Sequence, residues 1–486
     1  MRFNRILLVF PRFSKGRYQL SIHPPSGLGY VAEALKCSGK VVSVFDMNLQ
    51  YNYKDLEKRI ADFKPDLIGF SVMTFGYKET YSFIHRVKTE HGGIKIVAGG
   101  PHISTLRKKV LHECVDIDYG IIMEGDRSIV QLCGGEDLQN IKGFMYRRDR
   151  DVVVNPFETF IKNLDSLSFP KYESFELSKY PTRQIGVVTS RGCPYECIYC
   201  PVIAAIGKEF RQRSAHSVVE EIVYWYDKGY RDILLLDDNF TLSRERVEDI
   251  CDLLFQKKME NIRLKCPNGI RADRVDYKLL KRMKEIGFDM IAFGVEAAAD
   301  HVLKNIKKGE SFATIEESVK NACRLGFDVD LFFLIGSPGE TVGDVEKSFS
   351  FALRYPVRSA KFYNIIPFPT TELYQWIKEK KLFLHPEEHI LNNASHFINE
   401  PCFYTPEMSV RERKRMFLMG QKVTRKIRRK HIERNINIPR VLRPLASRIL
   451  VSSFVDDVLV QNRGIAKTKE KLKKVFVGNK SGNLCA

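Results

Sequence analysis

Short apolar runs alternate with segments of helical period from the amino terminus to about residue 382. That alternation predicts parallel sheets wrapped by helices, because parallel strands need crossover connections and are buried on both faces. A first block places strands at 6–10, 41–46, 66–73, 94–99 and 119–124, with helical patterns between them. It predicts a doubly wound, Rossmann-like domain over 1–135, with its ligand at the carboxyl ends of the strands. Residues 136–183 read as a β-hairpin at 142–155 and a linker containing Ser166, Pro170 and Pro181.

A second α/β block, 184–382, has six strand–helix units, with strands near 185–190, 233–238, 263–270, 290–296, 328–335 and 361–367. Six units are too few for a closed eight-stranded barrel. A partial (β/α)6 barrel is expected, with its chemistry at the strand carboxyl ends. The remainder, 383–486, reads as a basic, mainly helical region. Residues 411–448 are dense in Lys and Arg, with Met416, Leu418, Met419, Val423 and Ile427 interleaved, and 451–460 adds apolar surface.

The net charge of +19 calls for an acidic partner or for a solvated basic face. An anionic membrane surface, a nucleic acid and an acidic electron-donor protein all qualify, but no known RNA-binding module appears. Residues 1–10 read as a buried strand rather than a signal peptide, and no apolar run reaches the roughly 18 residues of a membrane span. A cytoplasmic protein is therefore expected, with peripheral membrane attachment left open. In a reducing compartment, 11 cysteines argue for metal binding or catalysis rather than disulfides.

The decisive segment is 190–200, where Cys193, Cys197 and Cys200 stand in a C-x3-C-x2-C spacing directly after the first strand of the second block. A loop of this length can aim three soft thiolates at one metal centre. A structural zinc site usually takes four ligands, so zinc requires a distant fourth; a four-iron cluster would keep one iron open. No further catalytic residue is apparent.

The spacing, its position and the aromatic Tyr199 before the last cysteine resemble the radical S-adenosylmethionine (SAM) superfamily. The resemblance implies a [4Fe-4S] cluster on Cys193, Cys197 and Cys200. It further implies that SAM chelates the open iron and is cleaved reductively to a 5′-deoxyadenosyl radical. Asp237, Asp238 and Asn239 take the place of the family's Gly-Gly-Glu element, as ligands of the SAM ammonium or as a helix cap. Glu296, in Gly294-Val295-Glu296, would accept from the ribose. Arg271 would pair with the SAM carboxylate or form a surface ion pair. Gly336 and Pro338, in the turn 335–341, would approach the adenine. Residues 367–373 resemble the segment that follows the sixth strand.

A doubly wound domain ahead of such a barrel resembles the superfamily's cobalamin (B12)-binding domain. The resemblance assigns cobalamin contacts to Leu28, Gly29, Ser71, Met73, Thr74, Gly99, Gly100, Pro101, His102, Glu124 and Gly125. The D-x-H-x-x-G motif is absent, so no axial histidine is expected from it. The commonest chemistry implied is methylation of an unactivated carbon; oxidative cyclisation or rearrangement is the alternative. The implied partners are a small-molecule or lipid substrate and an acidic flavodoxin or ferredoxin as electron donor. A reading of another class is a zinc-stabilised protein that binds RNA or a membrane.

Overall fold

The computed structural model describes residues 2–12, 23–149, 151–157 and 160–451. Two compact units emerge. One comprises Met1–Tyr180, Ser190–Arg213 and Ile366–Ser395, and the other Pro181–Thr189, Ser214–Ile365 and His396–Ala486.

The first unit is built on a seven-stranded sheet. Its strands are β1 (Arg5–Phe10), β2 (Val41–Asp46), β3 (Leu67–Ser71), β4 (Lys95–Gly99), β5 (Tyr119–Ile121), β6 (Phe144–Arg148) and β7 (Asp151–Val154). The order is β2-β1-β3-β4-β5-β6-β7, parallel from β2 to β5. Leu7, Val9, Ile68, Phe70, Ile96 and Ala98 fill its core. This is the doubly wound order with its topological switch between β1 and β3, where such folds receive ligands. The expected hairpin forms, but it pairs antiparallel with β5 through Tyr119 and Tyr146. The domain therefore runs past the expected boundary at 135, because the free edge of β5 is completed by the hairpin. Residues expected in the barrel and the basic region also pack here. The Asn392 carbonyl accepts from the Gly76 amide at 3.1 Å, at the start of the helix Tyr77–Glu90.

The second unit begins at β8 (Gln184–Val187). The chain then crosses to the first unit, where β9 (Ser190–Arg191) and β10 (Arg211–Gln212) form an antiparallel pair. It returns for β11 (Asp232–Leu235), β12 (Arg263–Ile270), β13 (Phe288–Glu296), β14 (Asp328–Ile335) and β15 (Ser359–Asn364). These strands fall on the six expected runs and form an all-parallel sheet in the order β15-β14-β13-β12-β11-β8. The sheet is open, with β8 and β15 at its edges.

The basic region is helical, as expected, with a solvated basic face. The helix Val410–Asn435 starts at a capping box between Ser409 and Glu412 and packs along β15. Met416, Phe417, Gly420 and Ile427 face inward, and Thr424 Oγ1 donates to the Ala360 carbonyl at 2.6 Å. The helix is thus a cap on the barrel edge, with its cations on the outer side. One cation is an exception. Arg413 is fully buried, donating to Asn364 Oδ1 at 3.2 Å and to the carbonyls of Phe403 and Ile365 at 3.1 and 3.3 Å. Burial lowers its pKa to about 10, against the pull of Cys402 and Glu340. The apolar stretch expected at 452–460 lies outside the described residues.

Removing one member of a buried polar cluster leaves its partners desolvated. Arg413→Ala is expected to cost roughly 3–5 kcal/mol in urea denaturation. Arg425→Ala, on the exposed face of the same helix, should stay within about 0.5 kcal/mol.

Candidate functional site

In the first unit, the cysteine loop is closed at its base before any metal enters. Arg191 pairs with Arg211 and Ser190 with Gln212 across β9 and β10. Gly192 adopts φ +85°, and a Cβ there would collide with the Glu209 carbonyl. Only glycine tolerates both the angle and the contact. Within the loop, the Cys193 amide donates to the Gly207 carbonyl at 3.4 Å and the Cys200 amide to the Cys197 carbonyl at 3.1 Å. Ile198 accepts from the Leu373 amide at 2.9 Å, so the segment 367–373 braces the loop. Cys193, Cys197, Cys200 and Tyr199 are all half-buried. Among the described residues, no three His, Cys, Asp or Glu side chains form a group that could hold a single metal ion. Three soft thiols on one braced loop would suit an iron–sulfur cluster with one iron left open to a ligand.

Two arginines anchor the arms of this loop. Arg191 forms a fork onto Asp126 at 2.9 and 3.1 Å and reaches Glu124 at 3.1 Å. Arg211 donates to Glu124 at 2.6 Å and to the Ile161 carbonyl at 3.1 Å, with its guanidinium over the Phe160 ring. Glu124 also accepts from the Ile161 amide at 2.8 Å. All four charged side chains are largely buried, with exposures of 13% for Arg191, 3% for Arg211 and 6% for each carboxylate. Burial opposes the Arg191 charge, but Asp126 and Glu124 outweigh it and hold the guanidinium protonated. Glu124, expected at the cobalamin, is therefore committed to the cysteine loop, and Gly125 lies between the two carboxylates as the N-cap of the helix Asp126–Gly134.

The other expected cobalamin residues divide. Ser71, Met73, Gly99, Gly100 and Pro101 lie half-buried at the carboxyl ends of β3 and β4, and Thr74 is just buried. Gly100 sits at φ +101°, with Val72 O only 2.9 Å from where a Cβ would be. This tight, partly open backbone edge suits a large planar ligand. His102 does not belong to it. Its ring is fully buried, stacked on Tyr77 at 4.5 Å and bonded through Nε2 to Tyr81 at 3.0 Å. Burial drives its pKa down to about 3. The space over Gly29 is also taken, since a Cβ there would lie 2.6 Å from Tyr172 and 2.9 Å from Pro170, and Leu28 is half-buried beside it.

In the second unit, the strand ends sort the expected SAM residues in the same way. Asp237 is buried and accepts from the Thr189 amide at 2.6 Å and from the Thr189 hydroxyl. Arg246 completes this lock, donating to the Thr189 carbonyl at 2.8 Å and the Phe240 carbonyl at 3.1 Å. Asp237 thus holds the backbone immediately before the cysteine loop in sequence. Asp238 keeps solvent access, yet protein surrounds it closely; burial, helped by Asp237, raises its pKa to about 6. Asn239 is 1% exposed, and neither its Oδ1 nor its Nδ2 has a protein partner. A buried amide with both ends unsatisfied is costly unless a ligand completes it.

Glu296 ends β13 at φ +62°, a strained angle for a non-glycine residue, and pairs with Lys308 at 3.1 Å. Arg271 is committed to Asp273 at 2.9 and 3.1 Å and to the carbonyls of Lys308 and Gly309 at 2.8 and 3.1 Å. It braces the Lys308 loop rather than presenting a fork to a ligand carboxylate. Gly336 has φ +90°, and the volume of its missing Cβ is taken by the Arg413 guanidinium. Glu340 folds back to accept from the Gly336 amide at 2.6 Å and the Ser337 amide at 3.3 Å. Burial raises its pKa to about 8 despite those two amides. Pro338 is half-buried, and the buried Ser337 hydroxyl has no protein partner.

Sequence reasoning missed Lys308, Arg246 and His396. His396 bonds to the Asn364 carbonyl at 3.1 Å and lies in the field of Glu296; burial still lowers its pKa. No motif marks it, since its neighbourhood comes from distant strands.

Comparison with known proteins places these features. The family model for the Radical SAM superfamily matches residues 187–352, and that for a B12 binding domain matches 19–132. The uncharacterized methyltransferase PH0819 of Pyrococcus horikoshii is 30% identical over 394 residues, covering 79% of this chain and 85% of its own. The anaerobic magnesium-protoporphyrin IX monomethyl ester cyclase of Rubrivivax gelatinosus is 26% identical, covering 77% of this chain and 70% of its own. Among solved structures, the cobalamin-dependent SAM radical enzyme OxsB, with aqua-cobalamin and SAM bound, aligns with a TM-score of 0.75 and 16% identity. It covers 97% of this chain and 75% of its own.

An ionised Asp238 favours a cationic amino group. SAM binding to the reconstituted protein is therefore expected to weaken as pH falls through about 6, by up to about tenfold per pH unit. Equilibrium binding across pH checks this, and Asp238→Asn should flatten the profile.

Proposed function

The chain belongs to the radical SAM superfamily, in the branch with an amino-terminal B12-binding domain, and on that footing we propose that it methylates an unactivated carbon of a small-molecule or lipid substrate. The observation that carries the reading is the cysteine loop: three half-buried thiols in C-x3-C-x2-C spacing on a backbone fixed in advance. When bound, the [4Fe-4S] cluster, SAM and cobalamin supply reductive SAM cleavage, a hydrogen-abstracting radical and a transferable methyl group.

The chain's own residues bind and orient. In this reading Cys193, Cys197 and Cys200 hold the cluster. Asn239 receives the polar end of SAM through its unsatisfied amide, with Asp238 as counter-charge to the ammonium. Glu296, held by Lys308, faces the ribose, and the Ser337–Pro338 turn flanks the adenine. Ser71, Met73, Thr74 and Gly99–Pro101 line the cobalamin edge. Asp237, Arg271, Gly336 and Glu124 act one step back, by fixing the backbone that presents these groups.

An acidic flavodoxin or ferredoxin is the proposed electron source. The outer face of the capping helix supports an anionic surface as a second partner. Arg411, Arg415, Lys422, Arg425, Lys426, Lys430 and Arg434 are exposed there, with Val441, Leu442 and Leu445 exposed nearby. Among the described residues no helix is long and apolar enough to cross a membrane. The cyclase relative supports a second reading, an oxidative cyclisation.

The first experiment is anaerobic reconstitution with iron and sulfide, followed by SAM and dithionite. The parent should form 5′-deoxyadenosine and Cys197→Ala should not. Label from methyl-labelled SAM in the product separates methylation from cyclisation, which transfers none. An assembled cluster that never cleaves SAM, with or without candidate substrates, would sink the proposal.

A further inference from the structure

We propose that the turn 123–126 couples cobalamin occupancy to the geometry of the cluster loop, with Ser104 and Glu124 as positioning residues. The inference rests on the reading above, in which cobalamin lies against Gly99–Pro101 and the cluster on the three cysteines. It uses contacts inside the first unit only.

A continuous path of hydrogen bonds joins the two places. Ser104 is 3% exposed; its hydroxyl donates to the Gly100 carbonyl at 3.0 Å and accepts from the Met123 amide at 2.8 Å. Met123 is held at φ +59°, a conformation a non-glycine residue keeps only when its surroundings impose it. The next residue is Glu124, whose carboxylate grips Arg191 and Arg211 at 3.1 and 2.6 Å. Those two arginines are the paired bases of the loop that carries Cys193, Cys197 and Cys200. A second route runs alongside: the helix Pro101–Leu106, which begins beside Gly100, packs against Val202–Ile206, just beyond Cys200.

A ligand that fixes the Gly100 carbonyl therefore fixes the Ser104 hydroxyl, and through it the strained Met123 that carries Glu124. The strain supplies what coupling requires, a backbone position with a distinct relaxed alternative that either site can bias. Coupling of this kind is reciprocal, so the cluster-loop arginines must also influence cobalamin affinity although they are not among its proposed contacts.

The test is hydrogen exchange of the peptides spanning 190–213, with and without hydroxocobalamin, occupancy being followed by absorbance. In the parent, cobalamin should slow exchange roughly fivefold or more. Ser104→Ala and Glu124→Gln should load cobalamin but lose that protection. Arg211→Lys, which keeps the charge and loses the fork, serves if Glu124→Gln does not fold, and should weaken cobalamin binding by the same factor. In protein that also carries the cluster, the EPR line shape should change on cobalamin loading in the parent and not in the variants. A parent that loads cobalamin without protection of 190–213, or variants protected as the parent is, would overturn the coupling alone. A parent that takes up no cobalamin would overturn the functional reading with it.

Discussion

Two guanidinium groups and two carboxylates, nearly removed from water at the base of the cysteine loop, fix what the rest of the molecule can do. Taking four charges out of solvent costs several kcal/mol per ion unless each meets a partner in good geometry. Here each does: Arg191 lies between Asp126 and Glu124, and Glu124 also serves Arg211 and the Ile161 amide. The arrangement holds the loop's ends at the separation of a strand pair, with the three cysteines on the loop between them. The amino-terminal domain therefore supplies part of the scaffold of the cysteine loop.

Much of this was legible in the sequence, for reasons that differ by element. Parallel strands are buried on both faces, so 6–10, 66–73 and 328–335 read as apolar runs and formed as strands. The hairpin at 142–155 was also legible, but its partner was not: antiparallel pairing with β5 depends on an edge that only the folded sheet defines. Motifs located polar residues correctly and assigned their partners poorly. Asp237, Arg271, Glu124 and His102 stand where expected, yet their polar atoms go to Thr189, the Lys308 loop, two arginines and a tyrosine. A motif fixes position along a strand end; which of two neighbouring carboxylates turns inward is decided by tertiary hydrogen bonds. Lys308 and His396 carry no local signal. Arg413 was hidden by its company, one buried cation in a helix dense with exposed ones.

The strand ends of the second unit hold features that cost stability without a ligand. Glu296 occupies a left-handed conformation, Asn239 and Ser337 bury unsatisfied polar atoms, and Glu340 is a carboxyl pushed toward neutrality. Elsewhere in the same unit Phe333 stacks on Phe362 at 4.6 Å, and a capping box joins Thr341 to Asp344. Backbone strain and unsatisfied polar atoms beside the strand carboxyl ends fit a site whose ligand completes its bonding.

The insertion of Arg413 beside Gly336 bears on how the chain is made. Ribosomes deliver β14 and β15 well before the helix Val410–Asn435, and domains generally fold as they emerge. Until that helix arrives, the Phe403 and Ile365 carbonyls lack their donor, the cleft over Gly336 stands open to water, and one edge of the sheet is bare. The nascent barrel thus waits, nearly complete, for a single residue from a segment that resembles a charged appendage. A chain that stalls or is clipped ahead of it would present chaperones and proteases with an unfinished enzyme.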